Sequence, residues 1–594
     1  MLVGVIYIPE LLAADDPNIA IFKDGIESDT TDKALTDDLY DLLYHAVFID
    51  TSKQHLPERR DFFDSEEYFI PFRGSRISAI RFRSVPTFGG SVYDTTLVPG
   101  SDIVKVANSA HTVTQKSILA QNLIFAPNDT VEPFLLSDNE RILRTLPFIR
   151  DARIYIKPMT TDTSEVELTI VTQDIFSIGI GGSVKSASSF DFDIFDRNLF
   201  GMGWEFNNGF RYRSNQTPEL GYDGRFYVNN IRGTFISGTL SYTNVQEREV
   251  YGISFDKAFL TPQTKYAGGL SFRRSGIYTL SNSTKQRFYR INDTDLWFGR
   301  AFQIGGSESR RNITFALRYN TFNYDVRPQI NPDSNFVYHN QDMILASMFY
   351  SKIYYTTSNL VRGFGRTEDI PIGYRIDITG GYSNGEIENR QYGSMGISGG
   401  LLLDHLGYLS ANFQFGAYYD GHRLENGVVT AGLSYFTPLI QLDGFRFRQF
   451  FYSDYTIGFN RIDEILIELK DISGIRWLTN EDFTGKQRLS LRFESVAFSP
   501  WNWLGFRFAL AGFFDTGFIG TNYRVPDLKN MYSSLGLTLR LRNINLVIDT
   551  FEIGFAFYPR VPEGASPVTW HFSTTEQRAF TSLQGRKPTL LLFR

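Results

Sequence analysis

From Ile175 onward the chain alternates apolar and polar residues almost without a break, and this period of two constrains the fold more than any other feature. "SFDFDIF" sets Phe190, Phe192 and Ile194 against Asp191 and Asp193. "NITFALRY" sets Ile313, Phe315 and Leu317 against Thr314 and Arg318. In "LGLTLRLRN" Leu535, Leu537, Leu539 and Leu541 oppose Thr538, Arg540 and Arg542. "TFEIGFAF" opposes Phe551, Ile553, Phe555 and Phe557 to Glu552 and Gly554. A soluble sandwich also alternates, but it shows its polar face to water. Here one face is continuously Phe and Leu while the other carries Arg, Asp and Glu, which suits lipid outside and a wet lumen inside.

The rest of the sequence agrees with a closed sheet. No apolar run reaches the ~18 residues a membrane-spanning helix requires, so a span must be a barrel that pairs its own backbone groups. Aromatics are 15% of the 594 residues, with 53 Phe, 32 Tyr and 50 Gly. A net charge of −6 argues against a nucleic-acid partner. The absence of cysteine excludes disulfides and thiolate metal sites. The seven histidines show no metal-like spacing, and no phosphate-binding glycine loop is present. The expectation is therefore no enzyme, no cofactor and no metal.

The first residues, "MLVGVIYIPELLAADDP", have a short apolar stretch and Ala13-Ala14 but lack a preceding Lys or Arg, so a degraded signal peptide and a structured start both fit. Residues 35–48 place Leu35, Leu39, Leu42, Leu43, Ala46 and Val47 on one face, which predicts an amphipathic helix. Next, "ISAIRFRSV" predicts a strand with Ile80 and Phe82 on its buried face, and "TQKSILAQNLIF" a short helix. Ser137 and Glu140 predict a capping box, with Ile142, Leu143 and Leu146 as the buried stripe and Pro147 as the stop. Two strands follow, with Ala152, Ile154 and Ile156 in one and Val166, Leu168 and Ile170 in the other. The expected order is strand, helix, helix, strand, strand.

With "ERILRTLPFIRDARIYI" at its centre, that order resembles a polypeptide-transport-associated (POTRA) domain. Such domains lend an exposed strand edge to an extended client chain. Three segments result: 1–75 with one helix, 76–173 POTRA-like, and a barrel over 174–594. Counting alternating segments gives about 20 strands.

A POTRA-like domain followed by a barrel resembles the BamA/TamA-type outer-membrane assembly and translocation superfamily, normally 16-stranded. That resemblance implies a loop arginine inside the barrel, held by carboxylates of the strands that follow. "RLSLRFESV" resembles the strand with the inward Glu, here Glu494, and "FFDTG" the Phe-x-Asp-x-Gly strand, here Phe513, Asp515 and Gly517. Parity puts both acids inside. The loop just before them, "SGIRWLTNEDF", carries Gly474 and Arg476, followed by about five strands, as that topology requires. Trp477 stands where the motif has Gly. A second match, Val361-Arg362-Gly363-Phe364, is followed by too many strands and is expected to be a decoy or a second inward loop.

The resemblance implies an outer-membrane factor that receives extended clients, unfolded outer-membrane or secreted proteins, on a periplasmic domain. It would insert or translocate them in contact with the lipid bilayer, with periplasmic lipoproteins or chaperones as further partners. A dedicated secretion pore and a non-translocating binding barrel are the alternatives. The closing strand is expected near "VTWHFSTTEQRAF", because Pro588 interrupts the residues after it.

Overall fold

A computed structural model describes residues 61–95, 102–159 and 163–593, apart from short segments at 282–283, 307–308, 332–337, 462–465, 471–472, 479–482, 504, 521–529, 548–549, 562–565 and 575–579. The helix expected at 35–48 lies outside the described residues.

The front domain begins with a one-turn helix α1 (Glu66–Phe69) and strand β1 (Arg76–Val85). Helices α2 (Asp102–Ser109), α3 (Lys116–Gln121) and α4 (Pro133–Thr145) lead to strands β2 (Ile149–Pro158) and β3 (Glu165–Asp174). β3 lies in the middle, parallel to β1 and antiparallel to β2. Ile77, Leu119, Leu143, Ile154, Leu168 and Phe69 share one buried core, so the packed unit takes in residues before 76.

Two expectations are corrected. The front domain has a further helix, α2, between β1 and α3. The capping box is not formed, because α4 starts four residues earlier than Ser137, with Pro133 at its first position. Proline's fixed φ and missing N–H suit that position. Ser137 and Glu140 are therefore interior to the helix. The Ser137 hydroxyl meets that of Ser65 at 2.7 Å, and the Glu140 carboxylate accepts the Ile154 amide at 2.8 Å. Glu140 is fully buried, and that burial raises its pKa against the pull of Arg153 and Arg144.

The remainder forms a 22-stranded sheet. Two members are minor: Phe62–Phe63, set against Ser358 and Thr357, and Ile440–Leu442. The other twenty, β4 (Ile178–Ser186) to β23 (Val568–Thr574), each pair antiparallel with the next in sequence. This agrees with the count from alternation.

Burial across the sheet is inverted relative to a soluble protein. Phe192, Phe272, Leu317, Ile378, Leu510 and Leu537 are exposed, while Asp295, Arg375, Arg448, Glu494, Asp515 and Glu552 are buried. The enclosed polar face is paired within itself, as in Arg318–Asp295 at 2.8 Å and Arg211–Asp193 at 2.9 Å. A transmembrane barrel has this arrangement. Among the described residues no ladder joins β4 to β23. Instead Phe176, just before β4, bridges to Leu546 in the turn after β21 (Met531–Asn543).

The front domain sits against one rim of the sheet, here the near end. Arg144 on α4 donates to Asp369 at 2.9 Å, and Arg310 pairs with Asp138 and Glu66. Arg150 on β2 donates to Asn545 at 2.6 Å.

Candidate functional site

Strand direction fixes where each loop lies. β18 (Phe445–Phe459) runs away from the near end and β19 (Gln487–Trp503) returns, so the loop carrying Arg476 starts at the far end. It folds back between the walls, where Leu469, Ile475 and Leu478 pack with Phe513 and Tyr558. The approach is close. A Cβ on Gly474 would meet the Leu469 backbone at 2.5 Å, and one on Gly517 the Leu469 side chain at 2.7 Å.

Parity then delivers the acids. β19 exposes Leu491 and Phe493 and turns Arg492 and Glu494 inward. On the neighbouring β20 (Phe506–Gly520), Asp515 is fully buried while Phe514 is exposed. Arg476 reaches both acids. Its Nε donates to Asp515 Oδ2 at 2.9 Å and its Nη2 to Oδ1 at 3.1 Å, a bidentate fork, while Nη1 donates to Glu494. The guanidinium also lies 4.2 Å from the centre of the Phe513 ring. Five strands follow this loop.

The set is larger than the sequence motif indicates. Arg540 on β21 donates to Glu494 at 3.1 Å and to Glu552 on β22 (Phe551–Phe557) at 2.6 Å. Arg492 stands 3.6 Å from Asp515. Three guanidiniums thus face three carboxylates, and the cluster is neutral without an ion. Tyr558 adds a hydroxyl donated to the Arg476 carbonyl at 2.9 Å. Alternation already marks Arg540 and Glu552 as inward, whereas Tyr558, beyond the end of a strand, gives no such signal.

Trp477 has φ of 57°, the left-handed region that favours glycine, which is the residue the motif has there. The tryptophan is accommodated because its ring stacks on His571 of β23, 4.6 Å away, and meets Phe513 edge-on at 5.4 Å. A Cβ on Gly554 would lie 2.1 Å from that ring.

The VRGF segment lies elsewhere. It follows β13 (Gln341–Ser358), which runs toward the near end, and precedes β14 (Glu368–Gly385). Val361 and Phe364 are buried against Phe436, Phe498 and Ile544, so this loop also turns inward, from the opposite end. The amides of Val361, Arg362 and Gly363 converge on the Glu368 carboxylate at 2.9–3.0 Å. The Arg362 guanidinium stacks 3.4 Å from the Phe580 ring. The structure brings Arg476, Glu494 and Asp515 together and leaves Arg362 apart from them.

No family model matches the chain, and no curated protein matches it. Solved structures do. Similar chains include BamA from Haemophilus ducreyi lacking POTRA domains 1–3, at 13% identity and a TM-score of 0.33, covering 84% of each chain. CdiB from Acinetobacter baumannii is 10% identical with a TM-score of 0.35, over 91% of this chain and 96% of that one. CdiB from Escherichia coli is 10% identical with a TM-score of 0.40, over 84% and 76%.

Proposed function

We propose that the protein is an outer-membrane factor that accepts extended client polypeptides on its front domain and helps insert or translocate them through its barrel. The observation that carries this reading is the Arg476 loop, drawn into the lumen and clamped on two strands by three buried charges. A loop held this way closes a lumen at rest and can be released as a unit.

The front domain would lie in the periplasm and function as a POTRA domain. Its outer strand β1 pairs on one side with β3; residues 128–131 cover the other edge at Arg76 and Ile77, and among the described residues the rest of that edge, 78–85, is left for a client chain. The unladdered seam between β4 and β23 would admit client strands with their backbone groups paired throughout. No cofactor or nucleotide enters the mechanism.

The decisive experiment reconstitutes the protein in vesicles and follows folding of an unfolded outer-membrane protein by protease protection. Acceleration that Arg476→Ala or deletion of residues 76–173 abolishes supports the reading. Equal client folding in empty vesicles overturns it. A secretion pore is the second reading, favoured by twenty strands rather than sixteen, and it predicts transport of one dedicated partner without faster insertion of others.

A further inference from the structure

Residues 580–593 run through the lumen from one end to the other. At the near end Phe580 lies under Arg362 and edge-on to Tyr408. At the far end Phe593 packs with Val428 and with Ile467 of the Arg476 loop, and Arg461 lies 4.5 Å from its ring. Fourteen extended residues reach about 45 Å, more than the ~30 Å of a bilayer core.

The wall reaches the backbone of this segment at several points. Arg375, buried on β14, donates to the carbonyl of Ser582 at 2.6 Å and to that of Gln584 at 3.4 Å. Arg318 donates to the carbonyl of Pro588 at 3.1 Å, and the Tyr392 hydroxyl accepts the Leu591 amide at 2.7 Å. Main-chain contacts of this kind recognise an extended chain with little regard to its side chains. Side-chain anchors add register: Lys587 pairs with Asp295 at 2.7 Å, and the Gln584 amide donates to the Leu260 carbonyl at 2.8 Å. Beside the segment a cavity of about 420 Å³, lined by Asp377, Thr379, Gln414 and Thr430 among others, leaves room for a chain to shift.

We propose that the lumen wall around Arg318, Arg375 and Tyr392 is a binding site for an extended polypeptide segment, occupied here by the chain's own residues 580–593. Another extended chain would compete for it, so the lumen opens by exchange of one occupant for another. The natural competitor's identity rests on the client reading above; the site itself does not.

The test uses a barrel lacking residues 580–594, a labelled peptide FTSLQGRKPTLLLFR, and the same peptide N-methylated at the position of Leu591. The truncated barrel should conduct at least fivefold more than the full chain, and the peptide should bind and block it. N-methylation, or Arg318→Ala with Arg375→Ala, should weaken the block at least tenfold. Should truncation prevent folding, the cysteine-free full chain allows Thr314→Cys with Gly585→Cys, where the two Cβ positions lie 3.1 Å apart. The oxidised pair should exclude labelled peptide that the reduced pair admits. Equal binding to both, or equal binding of the N-methylated peptide to a truncated barrel, overturns the proposal. Client folding in vesicles is read separately, so a failure there leaves the peptide result standing.

Discussion

Trp477 and His571 stack with their rings 15° from parallel, which ties the inward loop to the last strand of the barrel. The loop thus has two anchors: the ion cluster on β19 to β21, and an aromatic stack at the edge where the sheet ends.

The first prediction concerns the cluster. Arg476→Ala leaves Glu494 and Asp515 buried with one fewer cation each, and removing one partner of a buried pair costs on the order of 3–5 kcal/mol. Arg476→Lys should recover little, because a lysine cannot form the fork on Asp515. Both variants should raise conductance in planar bilayers and lower the urea midpoint. A conductance like that of the parent, in the full chain and in a barrel lacking residues 580–594, would show that the loop does not close the lumen.

Trp477 gives a prediction of opposite sense. At φ of 57° alanine is strained by about 1–2 kcal/mol relative to glycine. Trp477→Ala should therefore unfold at lower temperature than Trp477→Gly, although alanine is the larger residue. The reverse order in thermal melts would mean that the backbone relaxes out of this conformation.

At the second loop three main-chain amides share one carboxylate. Glu368→Ala removes an acceptor shared by three amides and should cost about 3 kcal/mol. Arg362→Ala leaves those three amide bonds in place and loses, among its contacts, the cation–π contact with Phe580, worth about 1 kcal/mol. Limited proteolysis within 359–367 should therefore accelerate much more in the Glu368 variant.

Much of this was legible in the sequence because a strand has only two faces. Parity alone placed Glu494 and Asp515 on the enclosed side, and the same parity includes Arg540 and Glu552. The path of residues 580–593 was not legible. Pro588 and three consecutive leucines exclude a barrel strand there, but no local signal says that a chain which leaves a sheet returns through its interior. The start of α4 was misplaced for a related reason. Ser137 and Glu140 have the spacing of a cap, yet their partners, Ser65 and Ile154, are supplied by tertiary packing.

Glu140 also carries a pH dependence. Burial holds its folded pKa above the unfolded value, so the folded state binds its proton more tightly. That contribution is fully present below the unfolded value, near 4.3, and is lost as pH rises through the raised folded value. Protection of the Ile154 amide, corrected for intrinsic exchange, should increase in the parent as pH falls toward the unfolded value and stay level in Glu140→Gln. Identical profiles would show that Glu140 titrates normally.

The barrel wall is uneven in height. β13 has 18 residues, whereas β22 has seven. Seven residues rise about 23 Å without tilt and about 18 Å at a tilt of ~40°, less than the ~25 Å apolar band of such a barrel. Lipid at that side must shorten to meet the wall, at a fraction of a kcal/mol per ångström of mismatch. The bilayer is therefore strained beside β22, one strand from the end of the described ladder.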